Sequence, residues 1–125
     1  MRELTSHKVN GLNECLVIEV LDEPGQGNAC HEYRIRGVVG PLDHHPIATT
    51  DIHFQNGPLQ EVGANGISQE ALLAVVEDRL LGFQSGQYAC RENAIALTHV
   101  QDAMMWLQKR TRDRVARGVE GTNQQ

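Results

Sequence analysis

The chain has 125 residues, of which 40% are apolar and only 4% aromatic, and it carries a formal charge of -5 at pH 7. That length fits one domain with a core of Leu, Val, Ile, Ala and Met, and the acidic balance argues against DNA or RNA as a partner, because non-specific binding neutralises many phosphates at once. The longest apolar run, Cys15 to Val20, is broken by Glu19, and Met1 to Lys8 has no apolar core, so no membrane partner or secretory signal is expected and the protein reads as cytoplasmic.

Three cysteines, Cys15, Cys30 and Cys90, are odd in number and show no C-x-x-C spacing, which argues against a disulfide framework or a cysteine zinc site. All three are taken as reduced, and neither a metal nor a cofactor is expected.

In chain order, the run from Asn13 to Leu21 is apolar and β-branched and reads as a strand, closed by the turn residues Asp22 to Asn28. From Cys30 to Val38 the polarity alternates, with His31, Tyr33 and Ile35 on one face and Glu32, Arg34 and Arg36 on the other, as in a half-solvated strand. The two should form a hairpin. A third strand carries Ala48, Thr50, Ile52 and Phe54 on one face, and Asn56-Gly57 is a hairpin-type turn signal after which Pro58 allows only an edge strand or a short piece. The expectation is an antiparallel sheet of three or four strands over about residues 13–63.

After Asn65-Gly66 the apolar period changes from two to that of a helix. Ser68 can cap a helix running to about Phe83, with Leu72, Val76, Leu80 and Phe83 on one face, Leu73 beside them, and Gly82 and Gly86 ending it. A longer helix from about Ala89 to Ala116 has Leu97, Val100, Met104, Leu107 and Val115 as its apolar stripe and Gly118 as its stop. The short connection makes the two antiparallel neighbours. The fold class expected is therefore α+β, an N-terminal antiparallel sheet followed by a long two-helix hairpin over about 67–117, in one domain of 125 residues with a flexible tail at 120–125.

At about 100° per residue, Ile95 and Trp106 fall roughly opposite Leu97. The long helix thus has a second apolar face, most economically covered by another copy of the chain in a homodimer or higher homo-oligomer. Near its end Lys109, Arg110, Arg112, Arg114 and Arg117 are opposed only by Asp113, a local cationic patch that suits one small anion better than a polymer.

Two catalytic arrangements are conceivable from the residues. Asp43-His44-His45 with His53 could ligate a metal in a hydrolase, yet no H-x-x-x-H or H-E-x-x-H spacing exists and the His pair lies in a Pro-flanked loop. Cys90 and His99, nine residues apart on one helix, are separated by about 13 Å, too far for a nucleophile and base in one chain.

A denser signal lies in the C-terminal 70 residues. Phe54 to Pro58, Asn65-Gly66, Glu70 to Ala74, Gly82 to Gly86, Tyr88 to Ala94, Met105-Trp106-Leu107, and Arg110-Thr111-x-Asp113-Arg114-x-Ala116 through Thr122 resemble, in order and spacing, the phage Thoeris anti-defence sponge family, whose helical hairpin is shared with anti-CBASS sponges. The resemblance implies a non-catalytic protein in the cytoplasm of an infected bacterium. It implies capture of a cyclic ADP-ribose isomer, the glyco-cyclic ADP-ribose made by Thoeris TIR proteins, with cyclic di- or trinucleotides as a second ligand class. It implies ligand contacts from Phe83, Asn93, Arg110 and Arg114, with Arg91 beside them, while Gln60 stands where many members carry Lys, which puts a phosphate contact from that loop in doubt.

The residues themselves leave blander roles open. Phe83 can be hairpin core, Asn93 a helix cap, and the arginines a complement to the helix dipole. A structural or regulatory oligomer without a nucleotide ligand is the alternative to the sponge. Asn93 and Arg110 lie 17 residues apart on one helix, about 25 Å, so a single ligand touching both must sit between two copies running antiparallel.

Overall fold

Alternating polarity dominates the first half of the chain, and there the backbone forms strands. The structure, a computed structural model, describes residues 1–38 and 47–124. Strand β1 (Arg2–Leu4) is followed by a short helix α1 (Gly11–Glu14), then β2 (Leu16–Val20), a 3-10 turn (Gln26–Asn28), β3 (Glu32–Gly37) and β4 (Thr50–His53). All neighbours are antiparallel in the order β1-β2-β3-β4, the four-stranded form of the expected sheet.

The register sorts the side chains into two faces. Ile18 pairs with Ile35, Val20 with Tyr33, and Tyr33 with Ile52, making one apolar face. The other carries Glu19, Arg34 and Asp51 in a row, with Arg36 donating to Glu19 at 2.7 Å and Arg34 to Asp51 at 2.7 Å. The Arg34 guanidinium holds the Asp51 carboxyl below its ordinary value. Val20 is fully buried, and Cys15, Cys30 and His31 are buried as well. All three cysteines are free.

The start of this region departs from the expected strand at Asn13. Asn10 accepts a hydrogen bond from the backbone of Asn13 at 3.0 Å and caps α1, so β2 begins only at Leu16. Strand β1, three residues long, is too short to show any period and is defined by its pairing with β2. The hairpin expected at Asn56-Gly57 is absent. Gly57 adopts a positive φ of 97°, but the chain does not return as a strand. Instead, the Asn65 side chain accepts from the Asn56 backbone N–H at 2.8 Å and donates to its carbonyl at 2.7 Å, and Phe54 bridges Ile67 in parallel.

Contacts divide the described chain into two units, Met1–Gly57 with Ala64–Ile67, and Pro58–Gly63 with Ser68–Gln125. The second contains a one-turn helix α2 (Leu59–Val62) and the hairpin of α3 (Gln69–Gln84) and α4 (Arg91–Ala116). Ser68 caps α3, accepting from Ala71 at 3.1 Å. Gly82 does not end that helix. The chain stays helical to Gln84, where Ser85 becomes the C-cap and its hydroxyl donates back to the Gly82 carbonyl at 2.7 Å. Cys90 caps α4, and Gly118 stops the chain after it in the left-handed region at φ 72°.

Helices α3 and α4 pack on each other. The better-covered positions of α4 recur at Asn93, Leu97, Val100, Met104, Leu107, Thr111 and Arg114, and those of α3 include Leu73, Glu77, Leu80 and Gln84. This alternation of three and four residues is the spacing of a two-helix seam. Val115, expected in that stripe, is 60% exposed; the seam ends instead on Thr111 and Arg114. Among the described residues no helix is long and apolar enough to cross a membrane.

Candidate functional site

Helix α4 is continuous over 26 residues, so the site residues expected from sequence separate into two groups at its two ends. At the turn end stand Phe83, Arg91 and Asn93. Phe83, in the last turn of α3, is half-buried and meets Tyr88 edge-on, with ring centroids 6.3 Å apart. Arg79, one turn earlier, places its guanidinium carbon 5.2 Å from the Phe83 ring centre, within cation–π range. Tyr88 is 68% exposed, so the aromatic pair faces solvent on one side.

Asn93 lies in the first turn of α4, but the capping role open to it in sequence is taken by Cys90. The thiol accepts from the Asn93 backbone N–H at 3.4 Å, while the Cys90 N–H donates to Gln84 at 3.1 Å. Asn93 is half-buried at the seam, and Arg91 is exposed.

At the other end an open groove of about 710 Å³ is lined by Trp106, Lys109, Arg110, Asp113, Arg114, Ala116 and Arg117. Its volume falls in the range of small-molecule pockets. Helical spacing explains the lining, since Trp106, Arg110, Asp113 and Arg117 succeed one another at four, three and four residues along one side. Lys109 donates to Asp113 at 2.7 Å, whereas Arg110 is exposed and enters none of the described hydrogen bonds or ion pairs. The groove thus offers an indole face beside a cluster of cations, chemistry suited to an aromatic anion.

Arg114, one turn beyond Arg110, is in a different state. It is only 7% exposed, and its guanidinium is wrapped by the segment that follows α4. Its Nε donates to the Glu120 carboxylate at 3.2 Å, one Nη to the carbonyls of Val119 at 2.9 Å and Thr122 at 3.0 Å, and the other Nη to the carbonyl of Gln124. Gln60 of α2 holds the same segment, its backbone N–H donating to Gly121 and its side chain to the Glu120 carbonyl, both at 2.9 Å. Residues 120–124, expected as a flexible tail, carry this network. Sequence reasoning missed Arg79, Tyr88 and the Arg114 network; the four-residue step from Arg79 to Phe83 was the available signal for the first.

Of the metal arrangement, Asp43, His44 and His45 lie outside the described residues, and His53 is paired with Glu32. Among the described residues no group of three or more His, Cys, Asp or Glu is placed to hold a metal ion. The unbroken α4 keeps Cys90 and His99 about 13 Å apart.

Comparison with known proteins points to one family. The family described as Acb2/Tad1, hairpin domain, matches residues 46–112. The chain is also similar to "Thoeris anti-defense 1" of Bacillus phage SBSphiJ7, at 42% identity over 100 residues that cover 80% of this chain and 66% of that protein. It therefore spans about two thirds of the length of that curated relative. With more than half of its residues inside the family match, and with the helical hairpin folded as the motifs require, the chain belongs to the Acb2/Tad1 hairpin-domain family of Thoeris anti-defence proteins.

Proposed function

We propose that the protein acts for a phage against bacterial Thoeris defence by binding a cyclic ADP-ribose-type signal, glyco-cyclic ADP-ribose, and holding it without chemistry. The observation that carries this reading is the division of the hairpin into an aromatic end, with Phe83, Tyr88 and Arg79, and a cationic groove around Arg110, joined by one continuous helix. An adenine needs a flat apolar face, worth roughly 1–3 kcal/mol by stacking, and a pyrophosphate needs fixed cations. The two ends supply one each.

Because Asn93 and Arg110 are about 25 Å apart on the unbroken helix, one ligand is completed by two copies arranged antiparallel. Phe83, Asn93 and Arg91 come from one copy, and the Arg110–Arg114 end comes from the other. A two-fold dimer then has two equivalent sites. The exposed apolar side chains along the hairpin support it: Ile95 (40%), Met105 (49%) and Trp106 (62%) on α4, and Val75 (65%) on α3, have no cover within the unit's own seam. Cyclic di- or trinucleotides are a second ligand class for the same assembly. The protein works by stoichiometric capture in the infected cell's cytoplasm, so slow release matters more than fast association.

The test is calorimetry of the purified protein with glyco-cyclic ADP-ribose, followed by heat denaturation and mass spectrometry of the released ligand. Tight binding at one site per chain with intact ligand returned is expected. Cleaved ligand would make the protein an enzyme, and an absence of binding would leave the hairpin as an assembly device. Arg110→Ala is expected to weaken binding by roughly 10- to 100-fold, the cost of a charge-assisted contact, with thermal stability unchanged.

A further inference from the structure

Arg79 is an exposed cation in an apolar setting. Its neighbours three and four residues away along α3 are Val75, Val76, Gly82 and Phe83, so the helix offers it no carboxylate. It lies before the last turn of α3, outside the short reach of the helix dipole. Among the described residues it enters no hydrogen bond or ion pair, and its described partner is the Phe83 ring. The guanidinium carbon stands over that ring at 5.2 Å from its centre, wider than the roughly 3.5–4.0 Å of a close carbon contact. Gly82, between the two in sequence, presents no side chain, and a Cβ added there would meet nothing within 4 Å, so this flank of α3 is open. Tyr88 meets the Phe83 ring edge-on and leaves its faces uncovered.

We propose that Arg79 is a specificity-determining residue of the nucleotide site: the base slots between its guanidinium and the Phe83 ring, and the site thereby selects a purine over a pyrimidine. This rests on the reading of the aromatic end as the place of the adenine. Two stacked contacts span about 7 Å, so a flat base fits once the guanidinium lifts by about 2 Å. No described hydrogen bond is broken in that movement, because the Arg79 side chain makes none. Stacking on an aromatic ring and attraction of a cation to a π face both depend on the extent of the π system offered. A two-ring purine covers Phe83 and still reaches under the guanidinium, whereas a one-ring pyrimidine gives up part of both contacts. Arg79 thus acts on the base, and the cations at the far end of α4 act on the phosphates.

The experiment is calorimetry of the full chain, Arg79→Ala and Arg110→Ala with two probes, glyco-cyclic ADP-ribose and the same cyclic molecule carrying uracil in place of adenine. Melting temperature and light scattering are read alongside. The unaltered chain is expected to prefer the adenine ligand. Arg79→Ala is expected to narrow that preference by about 5- to 30-fold, the scale of a desolvated cation–π contact, through weaker adenine binding. Because Arg79 is exposed, its melting temperature and self-association should be unchanged. Arg110→Ala is expected to weaken both ligands alike and to leave the preference as it was. Equal loss of both ligands in Arg79→Ala would make the residue a support of the hairpin, and an unchanged preference would remove it from the base; either overturns the proposal. If the unaltered chain binds both ligands equally well, the selectivity proposal fails and the sponge reading stands. If it binds neither, the nucleotide reading fails and the proposal falls with it.

Discussion

The sheet unit and the hairpin unit bury their side chains in opposite ways. In the first, the buried residues among those described are Val20, Cys15, Cys30 and His31, and the charged groups pair across the solvated face of the sheet. In the second, the buried residue is the charged Arg114, while Val75, Val76, Leu81, Met105 and Trp106 are all more than 40% exposed. A two-helix hairpin has one seam, and a long helix with apolar residues outside that seam leaves them in water unless another surface arrives. The sheet keeps an apolar residue fully buried within its own unit, whereas the hairpin leaves apolar side chains outside its seam, the surface on which the proposed dimer rests.

The largest effect that would break this comparison is at Trp106. In the proposed dimer Trp106→Glu places a charge on the second apolar face and is expected to weaken self-association by more than about 30-fold, the scale of a hot-spot tryptophan, with the sheet's circular dichroism retained. Light scattering across a concentration series reads this, and a variant as associated as the unaltered chain would remove Trp106 from the interface. Next in size is Val20→Ala, which opens a cavity at a fully buried position at the end of β2 and is expected to cost about 2 kcal/mol in denaturant unfolding. Because Val20 lies outside the hairpin unit, the association constant should be unchanged at denaturant-free conditions.

The smallest effect concerns acid. Asp22 accepts from the backbone N–H groups of His31 at 2.9 Å and Glu32 at 3.2 Å, and the His31 bond above all holds its carboxyl below the ordinary value of 3.8. A carboxyl with a lowered value in the folded state stabilises the fold fully above its unfolded value, and that stabilisation is lost as pH falls through the folded value. Asp22→Ala should therefore lower the melting temperature at pH 7 yet flatten its decline below about pH 4. Equal slopes for the two proteins below pH 4 would mean that Asp22 does not carry the acid limb.

Much of this architecture was legible in the residues. Alternation over 30–38 marked β3, Ser68 and the helical period marked α3, and Gly118 marked the end of α4, since each is a local signal tied to backbone geometry. Boundaries failed where a side chain bonded locally in place of the expected pattern. Asn10 turned the first residues of the expected strand into α1, Ser85 carried α3 past Gly82, and Asn65 reached back to Asn56 where a hairpin was expected. The Acb2/Tad1 identity was legible too, because the motifs of the hairpin lie in order along the C-terminal half.

For the candidate site the division is sharper. The cationic cluster, the second apolar face and the 17-residue gap between Asn93 and Arg110 follow from sequence and helix geometry alone, for a continuous helix turns and rises by fixed amounts per residue. Sequence could not tell two arginines four positions apart from each other. One is exposed beside Trp106 and the other is buried under residues 119–124, a difference decided by where the chain goes after the helix ends. Hydrogen bonds between α2 and residues 60 positions further on are made only once the chain has folded, and so that assignment belongs to tertiary structure.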